Sequence, residues 1–299
     1  MNTNNTSIHY SRAGDIFHYR WAAKRCLNLL DFNTDLISIT IEGSHHPGFS
    51  GEDVVDLAEY RENDKGEKSV EYFQLKHSTV RADKAFTISE LEDSIAGFVQ
   101  RFIEHQHTDA EYDNFKFTII TNRKISDNFK QNVLSIAKNE IELVDATFLK
   151  TVKKYTKIET TPKNTKKENK KYRHLSDSEL QKFCSLLTLD DSEGNFNTQK
   201  HDIHRALKNT TVLSNISSTE NNLIARIWQK VEPNQSNTIS RQDMLDVFDI
   251  LDIDEFFPAP PKFETLEKNI IHRQQQDELI QHIINNTSSH TIITATGGV

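Results

Sequence analysis

The chain places one acid ahead of a Gln-x-Lys triplet, and this arrangement could support metal-dependent hydrolysis of a phosphodiester. Asp53 opens one β-rich run, and Gln74-Leu75-Lys76 lies near the end of the next. A carboxylate and an amide oxygen can hold Mg²⁺, while a lysine can orient water and offset charge on the scissile phosphate. We expect Asp53, Gln74 and Lys76 to be the catalytic set. The alternative is an amphipathic hairpin with solvated polar side chains.

A neutral amide is a weaker ligand than a carboxylate, so the predicted magnesium site needs further acids. Glu42 lies after an earlier strand-like run, at the same expected end of the sheet. The predicted metal ligands are Asp53, Gln74 and Glu42, with Glu52 and Asp56 in reserve. His45 and His46 are close in sequence but suit phosphate contacts or the surface better than a hard cation.

The register of one β-hairpin decides which acid meets the lysine. If its turn is centred between Asp64 and Lys65, Asp53 lies opposite Lys76. A slip of one residue would present Asp56 instead, because successive side chains of a strand point to opposite faces. Asp53 is therefore the first choice and Asp56 the second.

These residues need a sheet and helices to position them. Periodicity predicts helices at residues 14–30, 89–102 and 128–137, and strands at 36–41, 54–60, 70–77 and 115–121. Ser89 with Glu92, and Ser176 with Glu179, match the capping box at a helix start. Four more helical segments follow at residues 176–187, 198–207, 221–231 and 240–251. This order predicts an α/β fold, a mixed sheet flanked by helices, followed by a smaller mainly helical region.

Charge is distributed unevenly along the chain. The net charge is −8, yet residues 151–175 carry nine Lys or Arg against two Glu, so the remainder is about −15. A basic segment on an acidic protein can contact phosphates. The predicted DNA contacts are His77, Arg123, Lys166, Lys167, Lys170 and Lys171.

Composition indicates a cytoplasmic protein without a membrane segment. Hydrophobic residues make up 35% of the chain, and its apolar runs are too short to span a bilayer. The Asn- and Thr-rich start does not resemble a signal peptide. Cys26 and Cys184 are far apart in sequence, which favours reduced thiols.

Five short motifs together resemble the double-stranded DNA endonuclease domain of bacterial anti-phage systems, including CBASS effectors. They are Gly-Asp-Ile-Phe-His-Tyr-Arg-Trp-Ala-Ala at 14–23, Ile-Glu-Gly at 41–43, Gly-Glu-Asp-Val-Val-Asp at 51–56, Gln-Leu-Lys-His-Ser at 74–78 and Thr-Asn-Arg at 121–123. The resemblance implies a restriction-endonuclease-like fold of the PD-(D/E)xK superfamily and an Mg²⁺-dependent activity on double-stranded DNA. It also implies that Asp53, Gln74 and Lys76 form the metal and catalytic set.

The last residues resemble the first half of a phosphate-binding loop. Ala295, Thr296, Gly297, Gly298 and Val299 match its opening positions, without the Gly-Lys-Ser/Thr that contacts nucleotide phosphates. With the endonuclease resemblance, this predicts the front part of a STAND-type NTPase. ATP binding, self-association into a higher oligomer and a phage-derived trigger are then expected only in a longer protein. That oligomerisation is expected to activate the endonuclease, so these 299 residues alone should cleave DNA slowly or not at all.

The predicted divisions are a nuclease domain at 1–155, a basic linker or loop at 156–175, a helical connector at 176–260 and the start of the NTPase at 261–299. The competing function is a catalytically silent DNA-binding or assembly module. An ATPase in its own right is disfavoured by the missing lysine of the loop.

Overall fold

A computed structural model describes residues 3–31, 33–46, 51–78, 83–107, 112, 114–159, 171–210 and 216–249. Several predictions lie outside these residues. They concern the phosphate-binding loop at 295–299, the NTPase start at 261–299, and Lys166, Lys167 and Lys170.

The described chain forms a mixed sheet and a separate hairpin. Its strands are β1 Leu36–Ile41, β2 Leu57–Glu62, β3 Lys68–Lys76, β4 Asn114–Thr121, β5 Lys157–Glu159, β6 Tyr172–His174, β7 Leu187–Asp190 and β8 Thr238–Ser240. Six of them make one sheet in the order β7-β4-β3-β2-β1-β8, while β5 and β6 pair with each other. The pairs β8-β1, β1-β2 and β2-β3 are antiparallel, and β3-β4 and β4-β7 are parallel.

Helices cover both faces of this sheet. They are α1 Thr3–Cys26, α2 Glu92–His107, α3 Asp127–Ala137, α4 Ala146–Tyr155, α5 Asp177–Leu186, α6 Phe196–Thr210, α7 Ile216–Lys230 and α8 Arg241–Val247. Trp21 of α1 packs against Phe73 of β3, with 5.2 Å between ring centroids. Phe98 of α2 stacks on Phe117 of β4 from the other side, at 4.9 Å. The predicted α/β fold, with a mixed sheet flanked by helices, is confirmed.

The amphipathic helix α2 shows why the local predictions hold. Ile95, Phe98, Val99 and Phe102 recur at helical spacing and are each at most 1% exposed. The capping box before α2 is formed by Thr87 and Glu90, not by Ser89 and Glu92 as predicted, and it opens the 3₁₀ turn Ile88–Leu91. The second predicted box, at Ser176 and Glu179, is confirmed at the start of α5.

The β2-β3 hairpin has a different register from the predicted one. Leu57 pairs with Phe73 and Ala58 with Tyr72, one position away from the expectation. The cause is the turn: Glu62 pairs with Lys68, so five residues connect the strands, and Gly66 adopts φ +75° there. Continued by one pair, this register brings Asp56 opposite Gln74, where the predicted register had Val55.

The predicted boundary between a nuclease domain and a helical connector is not seen. β7 and β8 come from the predicted connector, yet they form the two edges of the six-stranded sheet. Residues 1–253 form one compact unit. Within the predicted linker, the described residues contribute the β5-β6 hairpin.

Helices of the described ranges are too short or too polar to cross a bilayer.

Candidate active site

The candidate site lies at the edge of the sheet where β1 and β3 end and β2 begins. The backbone N–H of Glu42 donates to the carbonyl of Asp56 at 2.8 Å. The N–H of Asp56 donates in turn to the carbonyl of Phe73 at 2.9 Å. These bonds fix Glu42 and Asp56 next to each other and beside the Gln-x-Lys end of β3.

Asp56 is held directly against the strand that carries Gln74 and Lys76. Its Oδ2 accepts a hydrogen bond from the N–H of Leu75, between those two residues, at 2.6 Å. Burial raises the pKa of Asp56 above its ordinary value and the charge of Glu42 adds to the rise, while His18, the Leu75 N–H and Lys76 oppose it. A cation bound beside such a carboxylate would stabilise its ionised form.

Gln74 presents a buried oxygen without a partner. Its side chain is 6% exposed, and Oε1 has no hydrogen-bond partner among the described residues. An unsatisfied buried acceptor costs about 1–3 kcal/mol. Gln74, Lys76 and Asp53 line one open cavity of about 490 Å³, so a ligand can reach this wall.

Asp53 lies on that cavity but not on β2, where it was expected. It is exposed, within the 3₁₀ turn Glu52–Val54. Gly51, at φ +73°, brings this turn so close to α2 that an added Cβ would lie 2.1 Å from the carbonyl oxygen of Gly97. The predicted facing of Asp53 and Lys76 across the hairpin is wrong, but both line the cavity. A metal-binding role for Asp53 stays a prediction.

Glu52, a reserve ligand, is engaged in a structural cluster instead. It forms an ion pair with Arg101, whose side chain is fully buried. It also accepts from the backbone N–H of Ser44, and from the Ser44 hydroxyl at 2.9 Å. Arg101 donates to the same hydroxyl at 3.1 Å, so the cluster ties Ser44 and Glu52 to α2. Glu52 therefore does not fit the predicted metal site.

Glu42 belongs to a second small pocket that is shared with Asp56. His18, Tyr19, Glu42 and Asp56 all line it. Glu42 is exposed, adopts φ 52° and accepts a hydrogen bond from the Tyr19 hydroxyl at 3.1 Å. Burial, with the charge of Glu42 next, raises the pKa of Tyr19 to about 12, so the hydroxyl stays a donor at neutral pH.

Arg123, predicted to contact DNA, is a buried structural side chain. It is 4% exposed and donates to the backbone carbonyls of Lys84 and, at 3.1 Å, Ala85. It also pairs with Glu90 at 2.9 Å and lies over the ring of Phe86 at 4.0 Å. These contacts fasten the segment before α2, so the prediction for Arg123 is wrong.

The remaining predicted DNA contacts differ in exposure. His77 is half-buried, with its ring centroid 4.3 Å from that of Phe17. Burial, and secondarily His18, lowers the pKa of His77, which favours its neutral form at neutral pH. Lys171 is exposed. Roles for His77 and Lys171 stay predictions.

Oxygen donors suit Mg²⁺ better than nitrogen or sulfur donors, and Asp56, Gln74 and Glu42 offer oxygens. In the described part of the chain, no three His, Cys, Asp or Glu side chains converge closely enough to make a ready metal site. A cation here would depend on the Gln74 amide, whose buried oxygen fits that role.

Sequence reasoning missed Asp93 as a neighbour of the site. Asp93, in the first turn of α2, lines the same cavity as Asp53 and Gln74. His18 and Tyr19 were noted within a motif but not as neighbours of Asp56. A helix and a strand distant in sequence give no local signal of such contacts.

No protein-family model matches the chain, and no curated protein matches its sequence. Solved structures similar to it include the Cap4 SAVED/CARF-domain containing receptor of Acinetobacter baumannii with the cyclic trinucleotide 3'3'3'-cAAA. That comparison has 12% identity and a TM-score of 0.46, and covers 81% of this chain and 46% of the receptor. The Cap4 SAVED/CARF-domain containing receptor of Moraxella osloensis gives 10% identity and a TM-score of 0.40 over 78% of this chain and 46% of the receptor. The chain spans less than half of these receptors, and similarity at this level carries no conclusion about function.

Proposed function

We propose that the chain is an Mg²⁺-dependent endonuclease acting on double-stranded DNA. The observation that supports this most directly is at the start of β2. There Asp56 bonds to the peptide between Gln74 and Lys76, while the buried Oε1 of Gln74 has no partner in the described residues. An acid, an amide oxygen and a lysine at one strand end are groups that can support metal-assisted hydrolysis of a phosphodiester.

Each group has a distinct role in this proposal. Asp56 and Gln74, with Glu42 beside them, would hold Mg²⁺, which supplies Lewis-acid activation of the phosphate and a lower pKa for water. Lys76 would orient the attacking water and offset negative charge as it develops on the phosphate. Tyr19 positions Glu42 through its hydroxyl hydrogen bond.

Plasmid cleavage by the longer protein with its trigger, with and without Mg²⁺, tests the proposal on Lys76→Ala. We expect a folded variant that cleaves about 10²–10³-fold more slowly, since one electrostatic contact in the transition state is lost. Lys65→Ala, in the exposed hairpin turn, is the matched control and should cleave like the wild type. Wild-type cleavage by a folded Lys76→Ala protein would refute the role of Lys76.

The same assay separates the two acids and the competing function. Asp56→Asn should lose cleavage as Lys76→Ala does, while Asp53→Asn should lose less if Asp56 is the main ligand. Duplex binding without cleavage at any Mg²⁺ concentration, by the longer oligomeric protein with its trigger, would instead favour a catalytically silent DNA-binding module. Self-association, ATP use and a phage trigger depend on the sequence resemblance and stay predictions.

A further inference from the structure

An exposed tryptophan lies beside the candidate active site. Trp228 of α7 is 58% exposed, whereas the other tryptophan, Trp21, is 3% exposed. The ring of Trp228 contacts the ring of Tyr19, with centroids 5.8 Å apart and planes tilted by 38°. A large aromatic side chain left this accessible offers a flat apolar surface to a partner.

Tyr19 connects this surface to the catalytic residues. Its hydroxyl donates to Glu42 at 3.1 Å, and the Glu42 N–H donates to the carbonyl of Asp56 at 2.8 Å. One ring contact and two hydrogen bonds therefore connect Trp228 to the backbone of Asp56, the residue proposed to bind Mg²⁺.

The charges around Trp228 favour an uncharged group over a phosphate. The cations two positions before and after Trp228 on α7 are paired away from it: Arg226 with Asp243 at 2.8 Å, and Lys230 with the same carboxylate at 2.9 Å. On the other side, Glu42 and Asp15 both act electrostatically on Tyr19. The ring of Trp228 is therefore suited to the face of a nucleobase, which stacks on aromatic rings by dispersion, and the adjoining phosphates would lie away from these carboxylates.

We propose that Trp228 is a stacking platform for an unpaired nucleobase close to the scissile phosphate. This inference depends on the proposed function and defines its substrate further. A base inside an intact duplex is stacked on its neighbours and cannot reach a side chain in this way. DNA with an unpaired base near the cut is therefore the preferred substrate over a fully paired duplex.

Intrinsic fluorescence measures this contact directly, since Trp228 is the exposed one of only two tryptophans. The titration uses the 299-residue chain with Lys76→Ala and Mg²⁺, so that DNA binds without being cut. A short oligothymidylate should quench the emission, while an abasic oligonucleotide of equal length, which keeps the phosphates, should not. Equal quenching by both would overturn the proposal, as would undiminished quenching in a Trp228→Phe protein.

Affinity supplies a second readout, by anisotropy of the labelled oligothymidylate. Trp228→Ala should weaken binding by about 5- to 100-fold, the range expected for one base–aromatic stack. Trp228→Phe, which keeps a ring, should weaken it less. Leu143→Ala removes another exposed apolar side chain, 67% exposed, and should bind normally. Unchanged affinity in Trp228→Ala would overturn the platform.

The two proposals fail separately. Wild-type cleavage by folded Lys76→Ala, together with base-dependent quenching, would support the stacking platform and refute the proposed catalytic role of Lys76. If Trp228→Ala cuts gapped and paired duplexes at wild-type rates and binds them with wild-type affinity, the stacking role of Trp228 is refuted and the nuclease proposal is supported. Sedimentation of the free protein tests a different occupant, because a dimer that Trp228→Ala dissociates would assign this surface to a second copy of the chain.

Discussion

At the scale of single residues, the Asp56 carboxyl is in a place that disfavours its charge. Its pKa is raised from the ordinary 3.8, so the ionised group destabilises the folded state once the pH exceeds that value. Asp56→Asn should therefore raise the thermal midpoint at neutral pH, and Asn can still accept from the Leu75 N–H. The gain should fall as the pH drops towards 3.8 and vanish well below it, where the carboxyl is protonated in both states.

Magnesium supplies the control for this prediction. A cation that binds the folded state stabilises it, so Mg²⁺ should raise the midpoint of the wild type but not of Asp56→Asn. Thermal unfolding across a pH series, with Mg²⁺ or EDTA, measures both effects. A destabilised Asp56→Asn at neutral pH would contradict the stated effect of burial.

Gln74 makes a comparable trade between stability and function. Gln74→Met keeps the volume but removes the buried oxygen that lacks a described partner. We expect the free energy of unfolding to rise by about 1 kcal/mol, because the desolvation cost of that oxygen disappears. Cleavage should fall at the same time. Denaturant titration measures the stability, and a loss of stability would indicate that the amide is satisfied in solution.

At the scale of elements, the packing of α2 on residues 51–54 should control the cavity. A Cβ on Gly97 would lie 2.3 Å from the side chain of Val54, which is 5% exposed. Gly97→Ala should lower stability by about 1–3 kcal/mol through overpacking, despite the better helix propensity of alanine. Cleavage should also fall, because the displaced turn carries Asp53.

Gly14 of α1 offers the matched control for that substitution. An added Cβ there meets nothing within 4 Å, so Gly14→Ala should stabilise α1 by up to about 1 kcal/mol. Circular dichroism during thermal unfolding compares the two proteins. Equal midpoints for Gly97→Ala and the wild type would show that Val54 can move away without cost.

At the scale of the whole molecule, the late strands make residues 1–253 one folding unit. β8 covers the edge of β1, and β7 covers the edge of β4. Phe183 and Cys184 of α5 are buried in the same core as the sheet. A fragment of residues 1–155 should therefore expose apolar surface and should not unfold cooperatively. A fragment of residues 1–253 should unfold cooperatively. Near-ultraviolet circular dichroism and thermal unfolding of both fragments check this.

Local sequence patterns were sufficient to predict the helices and strands in which apolar spacing repeats over many residues. β1 matches its predicted bounds, and α2, α3 and the four later helices are present where apolar spacing indicated them. These signals depend on side chains a few residues apart, which sequence shows directly. Gln74 and Lys76 on one face of β3 follow from the same alternation, and both line one cavity.

The tertiary structure decided the features that depend on contacts between residues far apart in sequence. β7 and β8 have four and three residues, too few for any period, and exist because a sheet edge was available to them. A five-residue turn set the hairpin register and brought Asp56 to the site, a choice of one residue that sequence left open. Likewise, only the fold shows that Arg123 is buried and that Trp228 is exposed beside Tyr19. Sequence thus determined which chemical groups are available, and long-range packing determined which of them meet.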